Sequence, residues 1–568
     1  MTWPSPGRLR RVRSRHVLLA VAAGLALADA SIVTLALPQL LRELDTTVEG
    51  VASILGVYTV VLAAALLPVE RIQRRVGAPH TGAVGLAVFG LASLVAGASG
   101  SLGLLLAARG VQAVGGAAAL VAAFALLEPS GAAGARGRRL WLGAAVLAAA
   151  VGPALGGALT EVFSWRAIFY AQAPVAALAA LAAWAEPRRD TRPLEERGAA
   201  GAAAAPAGPS RITAGPAISL ALVSAALTAV LFLLVLLLVA GWDVSPLRAA
   251  VTVTVIPLGA VAGSRIGGDA RTRAAAGCAL VGAGVLALAF LPDAHLPWTI
   301  VPQAAAGLGM GLALPALGGD LLPERDPRDA ARLLVLRHVG IALALVLLAP
   351  IVSHDLASST DHARERGVAV VLDAKLAPTE KIKLAPKLLA GVADDQPRHG
   401  LREALDADRP SSGSDDSAAY ADLARGTDDV LVLAVGEAFR TAFLVTGALA
   451  LLAALAVLPR RRTQALIAAA ACAVALPLAY VGLHAVAAPN GVTLRDPCRQ
   501  RALPDTGGIE GFLQDRVLEL LDTTACKAGS TREELVLALA DDRDRARFER
   551  EHGVDPRSLS TLLRGVLG

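Results

Sequence analysis

Apolar stretches as long as a bilayer crossing, ~20 residues, recur along this chain from residue 16 to residue 487, divided by short charged or turn-forming segments. A soluble core has no place for so many. The 568 residues are 55% hydrophobic and only 18% charged, with mean hydropathy +0.57. Soluble chains carry about a quarter of charged residues. Here there is too little polar surface to cover the apolar matter, and the chain reads as an all-α polytopic membrane protein. The net charge of +5 sits mostly in short loops, as membrane orientation produces, and does not point to nucleic acid. The run after the Arg8–Arg15 cluster is too long for a signal-peptide core and lacks a cleavage site. It is read as a first span with a basic cytoplasmic flank.

Six runs fall near 16–40, 50–69, 79–99, 102–127, 140–160 and 167–185, followed by a polar Ala/Gly/Pro-rich linker at 186–212. Six more fall near 215–240, 246–264, 274–292, 298–318, 333–352 and 430–458, with a further run at 463–487. Alternate loops are rich in arginine: Arg71, Arg74 and Arg75; Arg136, Arg138 and Arg139; Arg188, Arg189 and Arg192; Arg265, Arg271 and Arg273; Arg325, Arg328, Arg332 and Arg337; Arg460 to Arg462. Positive loops face the cytoplasm. The expected organisation is a six-helix bundle over 1–185, a cytoplasmic linker over 186–212, and a second bundle over 213–458 carrying an outside insert at 353–429. An extra span over 459–487 and a small outside helical domain over 488–568 complete it. The location is a cell membrane, inner or plasma, in a bacterium, with the N-terminus inside. Cys498 and Cys526 are the cysteines of the soluble parts. Both fall outside, where oxidising conditions favour a disulfide, and a bond between them is predicted.

The segment AAAVGPALGGAL, residues 148–159, sets a proline and three glycines inside the fifth run. Gly156 and Gly157 permit close helix approach, and Pro153 removes a backbone hydrogen bond. With SWRAIFYAQAP (164–174), ADASIVTLALPQL (28–40) and LAARGVQAVGGAA (106–118), it resembles the drug:proton antiporters of the major facilitator superfamily. The likeness covers residues 16–350 and 430–458. It implies two six-helix halves rocking about a midplane site, with Gly152, Pro153, Gly156 and Gly157 as a kink that controls the rocking and seals against proton leak. PVERIQRRVG (68–77) resembles the charged loop between helices two and three, with Glu70–Arg71 in place of Asp–Arg and with Arg74 and Arg75 retained. That resemblance implies a cytoplasmic charge latch.

Asp29 is the acidic residue placed near the middle of a span, an expensive location that reads as functional. Burial disfavours the charged form, so a carboxyl there can exchange protons, and Asp29 is the expected proton-coupling or cation-contacting group. The first helix runs outward and the fourth inward. At ~1.5 Å per residue, Asp29 lies roughly 16 Å and Arg109 roughly 11 Å below the outer face, close enough to communicate directly or through water. Arg109 is expected to tune proton release, and Gln112, Gly115 and Gly116 share its motif. The second half offers Trp242, Gln303, Met310 and His338 as scattered candidates, which support an apolar cavity and no particular cargo.

The chain departs from the fourteen-span branch of that family. It lacks the central pair of helices and adds a thirteenth span. The tail shows helical periodicity and a capping pattern at STREELVLALA, and is expected to gate the exit, bind an envelope partner or shield the outer face. No metal-spaced cluster, phosphate-cradling loop or nucleophile elbow occurs, so neither an enzyme nor a cofactor is expected. The function read from the sequence is proton-driven efflux of lipophilic or cationic small molecules by alternating access. The alternatives are transport of an endogenous metabolite or lipid precursor, or a non-transporting membrane scaffold or sensor.

Overall fold

The computed structural model describes residues 6–127, 152–186, 213–322, 327–392, 397–410, 416–459, 463–499, 503–504 and 506–558. The 186–212 linker past Glu186, the arginines at 136–139, 188–192 and 460–462, and the first part of the fifth run lie outside these residues. Among the described residues every regular element is helical.

The first half contains α1 (Pro6–Thr34), α2 (Leu37–Glu43), α3 (Val48–Val76), α4 (Ala78–Gly97), α5 (Leu102–Leu127), α6 (152–162) and α7 (Trp165–Trp184). The break after α1 precedes Pro38, which sits in the first turn of α2, where its missing N–H costs nothing. The PVERIQRRVG segment is not a loop. α3 stays helical to Val76, and the connection to α4 is Gly77 alone, at φ 89°.

The second half begins with α8 (Ala214–Leu236), which runs on as a π-turn over Leu237–Gly241. Its next span is divided into α9 (Pro246–Val253) and α10 (Val255–Gly263). Then come α11 (Ala270–Leu288) and α12 (Pro297–Pro315), the latter continuing to Leu321. Eleven stretches among the described residues are long and apolar enough to cross a membrane. α1 and α6 stand where the first and fifth spans are expected.

Two helices overrun the bilayer. α13 (Pro327–Asp373) has 47 residues and reaches ~70 Å, more than twice the ~30 Å hydrocarbon core. α16 (Asp416–Ala456) has 41 residues. The described parts of the insert at 353–429 are therefore in large part the continuation of two spans beyond the bilayer. The insert is closed by α14 (Pro378–Val392) and α15 (Pro397–Ala407) around Leu384, Leu388, Leu401 and Tyr420. α17 (Gln464–Ala487) is also long enough to cross, with only 11% of its apolar window buried inside the protein, which leaves most of its surface for lipid.

The tail folds as α18 (Gly508–Ala528), α19 (Arg532–Ala540) and α20 (Asp542–His552). Thr531 caps α19 by accepting from the Glu534 N–H at 3.1 Å. The tail does not stand apart from the insert. Arg364 pairs with Asp544 at 2.8 Å, fully buried Arg532 with Asp373 at 2.7 Å, and Arg547 with Asp361 at 3.1 Å. Insert and tail make one unit beyond the spans, and Cys498 is disulfide-bonded to Cys526 within it.

The disulfide joins positions 28 residues apart, for which chain entropy gives about 3–4 kcal/mol. Cys526→Ser is expected to lower the melting temperature of the tail and speed its proteolysis while leaving the helicity of the spans unchanged. Unaltered proteolysis would show that the ion pairs alone hold the tail.

Candidate functional site

Asp29 and Arg109 meet. α1 and α5 bring them together at zero exposure, with Arg109 Nη1 donating to Asp29 Oδ2 at 2.5 Å. The other carboxylate oxygen, Oδ1, accepts from Gln172 Nε2 at 2.9 Å. Gln172 Oε1 accepts from Gln112 Nε2 at 2.7 Å, and that nitrogen also donates to Ser93 Oγ at 2.8 Å. Gln112 Oε1 closes the ring by accepting from Arg109 Nη1 at 2.7 Å. Four helices, α1, α4, α5 and α7, are thus tied by one buried polar network. In a medium without water each of these groups must find a protein partner, which explains why the glutamines accompany the ion pair.

The guanidinium lies over the Tyr58 ring, 4.3 Å from its centroid. Tyr58 donates its hydroxyl to the Ala26 carbonyl at 3.0 Å, pinning α3 to α1. Arg109 Nε reaches the Ile54 carbonyl at 3.3 Å, and Nη2 is buried without an acceptor among the described residues. Gly116 makes the room that Tyr58 fills: a Cβ there would stand 2.9 Å from the tyrosine oxygen. One on Gly115 would stand 2.5 Å from the Phe89 nitrogen, so Gly115 sets the α4–α5 approach.

Between the halves lies a cavity of about 100 Å³, lined by α1, α3 and α6 on one side and α8, α10, α12 and α13 on the other. Its walls are chiefly apolar, with the polar groups Ser31, Thr34, Tyr58 and Thr59 from the first half and Ser224, Thr228, Arg337 and His338 from the second. Drug-sized ligands need roughly 300–1,000 Å³, so binding cargo requires the halves to part.

Asp29 does not line this cavity. Both of its oxygens are engaged behind a wall formed by Tyr58, Ala26 and Ala28. The cation-contacting role expected of it is therefore not offered in this conformation.

The glycines of the fifth span let α6 press closely on both sides, Gly152 and Gly156 against α1 of the same half and Gly157 against α9 of the other. α6 runs between α1 and α9. A Cβ on Gly156 would collide with the Ile32 carbonyl oxygen, and one on Gly157 would lie 2.7 Å from the Pro246 oxygen and 2.5 Å from Ala250 Cβ. Gly152 is equally tight against Ser31 Oγ at 2.8 Å, and Pro153 lines the cavity. The carboxylate of Glu161 accepts from the Leu247 N–H at 2.7 Å, adding a polar tie between the halves. On the other side of the cavity, Leu62 and Leu66 share an apolar cluster with Ala330, Ala331 and Leu334.

The expected latch residues behave differently. Glu70 is buried and pairs with Arg74 of its own helix at 2.5 Å, while Arg71 and Arg75 are exposed. Among the described residues the latch shows no ion pair to the other half.

Arg337 is not a loop residue, as its place among the alternating arginines implied. It lies ten residues into α13 and lines the cavity beside His338. Met310 lines the same space, whereas Gln303 is buried against Thr299 and Trp242 lies apart from the cavity. The sequence reading missed Gln172, Ser93 and Tyr58, whose polar character is unremarkable until the fold groups them. Arg337 carried a signal: it adjoins the His338 that opens an apolar run.

A family-level sequence profile, described as Major Facilitator Superfamily, matches residues 19–352. The multidrug resistance protein Stp of Mycobacterium tuberculosis is 31% identical over 170 residues, 29% of this chain and 32% of that protein. The puromycin resistance protein pur8 of Streptomyces alboniger is 36% identical over 179 residues, 30% and 35% of the two chains. The tetracenomycin C resistance and export protein of Streptomyces glaucescens is 32% identical over 175 residues, 30% and 32%. The matched segment thus spans about a third of the length of these curated relatives. A bacterial homolog of the human lysosomal transporter Spinster, in an inward-facing and unoccupied conformation, shares the fold. It aligns with TM-score 0.52 at 15% identity, covering 81% of this chain and 100% of that one.

Removing one member of a buried ion pair costs about 3–5 kcal/mol, because the other charge is left unpaired. Arg109→Gln is expected to show such a loss in the melting of the detergent-solubilised protein. The double variant Asp29→Asn/Arg109→Gln is expected to recover most of it. Strictly additive losses would mean the two side chains are not coupled.

Proposed function

The chain belongs to the Major Facilitator Superfamily, and from that premise we propose that it exports lipophilic small molecules across the cell membrane, driven by proton entry. The orientation supported by the arginine pattern puts the N-terminus in the cytoplasm and the unit of insert and tail outside. Cargo occupies the central cavity after the halves separate, and alternating access carries it outward.

The observation that carries this reading is the Asp29–Arg109 pair, sealed one side chain away from the cavity. In the present arrangement Asp29 accepts one hydrogen bond at each carboxylate oxygen, from Arg109 and from Gln172. Protonation removes its charge, and Arg109 loses its counter-ion while remaining against Tyr58. Tyr58 belongs to both the network and the cavity wall, so a change at the carboxyl reaches the cargo site through a single ring. Gly157 supplies a tight contact with α9 about which the halves move, and Gly156 fastens α6 to α1 behind it. The similarity to resistance and export proteins favours efflux over uptake. A scaffold would gain nothing from a buried carboxylate beside such a cavity.

Asp29→Asn imitates the protonated state. In everted vesicles supplied with a panel of lipophilic dyes, it is expected to abolish accumulation driven by an imposed pH gradient while preserving downhill exchange of the same dyes. Full gradient-driven accumulation by the variant would remove Asp29 from the coupling step. Loss of both activities at normal expression would reduce it to a structural residue.

A further inference from the structure

Among the described residues, the central cavity is lined by one side chain of fixed charge, and it is positive. Arg337, half-buried on α13, lines the space, and no described aspartate or glutamate does. Among the described residues none forms a hydrogen bond or ion pair with its guanidinium. Asp29 cannot neutralise it from behind the wall, because Arg109 and Gln172 occupy both carboxylate oxygens. An unpaired cation at membrane depth is costly and marks a pathway or ligand site. A guanidinium offers five donors in a fork that fits the two oxygens of a carboxylate or phosphoryl group.

Two neighbours extend this donor set. Ser224 on α8 is 3% exposed, and its hydroxyl lines the cavity with no hydrogen-bond partner among the described residues. His338 donates Nδ1–H to the Leu334 carbonyl at 2.7 Å, which leaves Nε2 for the cavity as an acceptor when neutral and a donor when charged. These groups come from the second half. The rest of the wall is chiefly apolar, with Leu27, Leu227, Leu231, Ile256 and Met310 beside the uncharged hydroxyls of Ser31, Thr34, Tyr58, Thr59 and Thr228. The arrangement matches an amphipathic molecule with an apolar body and one oxyanionic group.

Resting on the transport reading, we propose that the cargo of this cavity is a lipophilic anion, recognised by Arg337 with Ser224. This replaces the cationic class expected from the sequence.

The test uses the purified full-length protein and four probes with a common ring: naphthoate, naphthyl phosphate, methyl naphthoate and naphthyl-trimethylammonium. Binding is followed by calorimetry, and transport in proteoliposomes is measured separately. The wild type is expected to bind one or both anions more tightly than the ester or the cation. Arg337→Gln should weaken anion binding by about tenfold or more and leave the ester unchanged, with Arg337→Lys recovering part of the loss. Preference between carboxylate and phosphate identifies the head group. Tighter binding of the cation, or an equal loss of ester and anion in Arg337→Gln, would overturn the proposal, as would failure to bind either anion. Arg337-dependent binding without any transport would sustain this inference while removing the transport reading beneath it.

Discussion

A carboxylate and a guanidinium facing each other at zero exposure, level with the hydrocarbon, set the terms for the first half of the molecule. Neither charge is tolerable there alone. The pair then obliges its surroundings to complete the remaining valences. Gln112 bridges from the same helix as Arg109, Gln172 from a third helix, Ser93 joins from a fourth, and Tyr58 covers the guanidinium. The result is a bundle whose helices share a single hydrogen-bonded ring. The second half contains no comparable ring among its described residues. Its spans are held by close backbone approach, as where Gly277 and Gly309 face one another across α11 and α12. One half is locked by polar contacts and the other is packed by small residues.

This asymmetry gives the halves different parts in transport. In the proposed mechanism the first senses the proton, because it is built around Asp29. The second supplies the basic groups that face the cavity, Arg337 and His338, together with Ser224 and Thr228. Tyr58 and Gly157 are where the two meet. Overpacking such a contact costs typically 1–3 kcal/mol, and at Gly157 part of the obstacle is the Pro246 backbone, which cannot rotate away. The outer unit, fastened by buried Arg532 and a disulfide, extends two spans that move with the second half, so rearrangement of that half must carry the unit with it.

Much of this was legible in the chain. Span positions follow from apolar length alone, and Asp29 declared itself because a membrane-depth acid has few other uses. Its partner Arg109 stood in the segment that resembles the family's fourth helix, and helix direction and rise put the two at similar depth. What escaped was side-chain company. The ring needs Gln172 and Ser93, residues ordinary in any helix, whose meeting depends on how α4 and α7 rotate against α5. Local pattern does not encode that rotation. The charged segment at 68–77 misled because arginines mark loops in membrane proteins as readily as they end helices, and Pro68 inside a helix is tolerated where neighbours compensate. Arg337 was assigned to a loop for the same reason: charge was taken as a boundary, whereas the helix had begun at Pro327. The insert read as a separate segment because its amphipathic turns continue α13 and α16 without a break that hydropathy can register.

The account stands on Asp29 changing its protonation during transport. Infrared difference spectroscopy of the reconstituted protein across the working pH range reads that directly. The account predicts a protonated-carboxyl band that grows on acidification and is missing from Asp29→Asn. If that carboxyl stayed ionised throughout the range in which the protein transports, the pair would be a strut and the coupling would lie elsewhere.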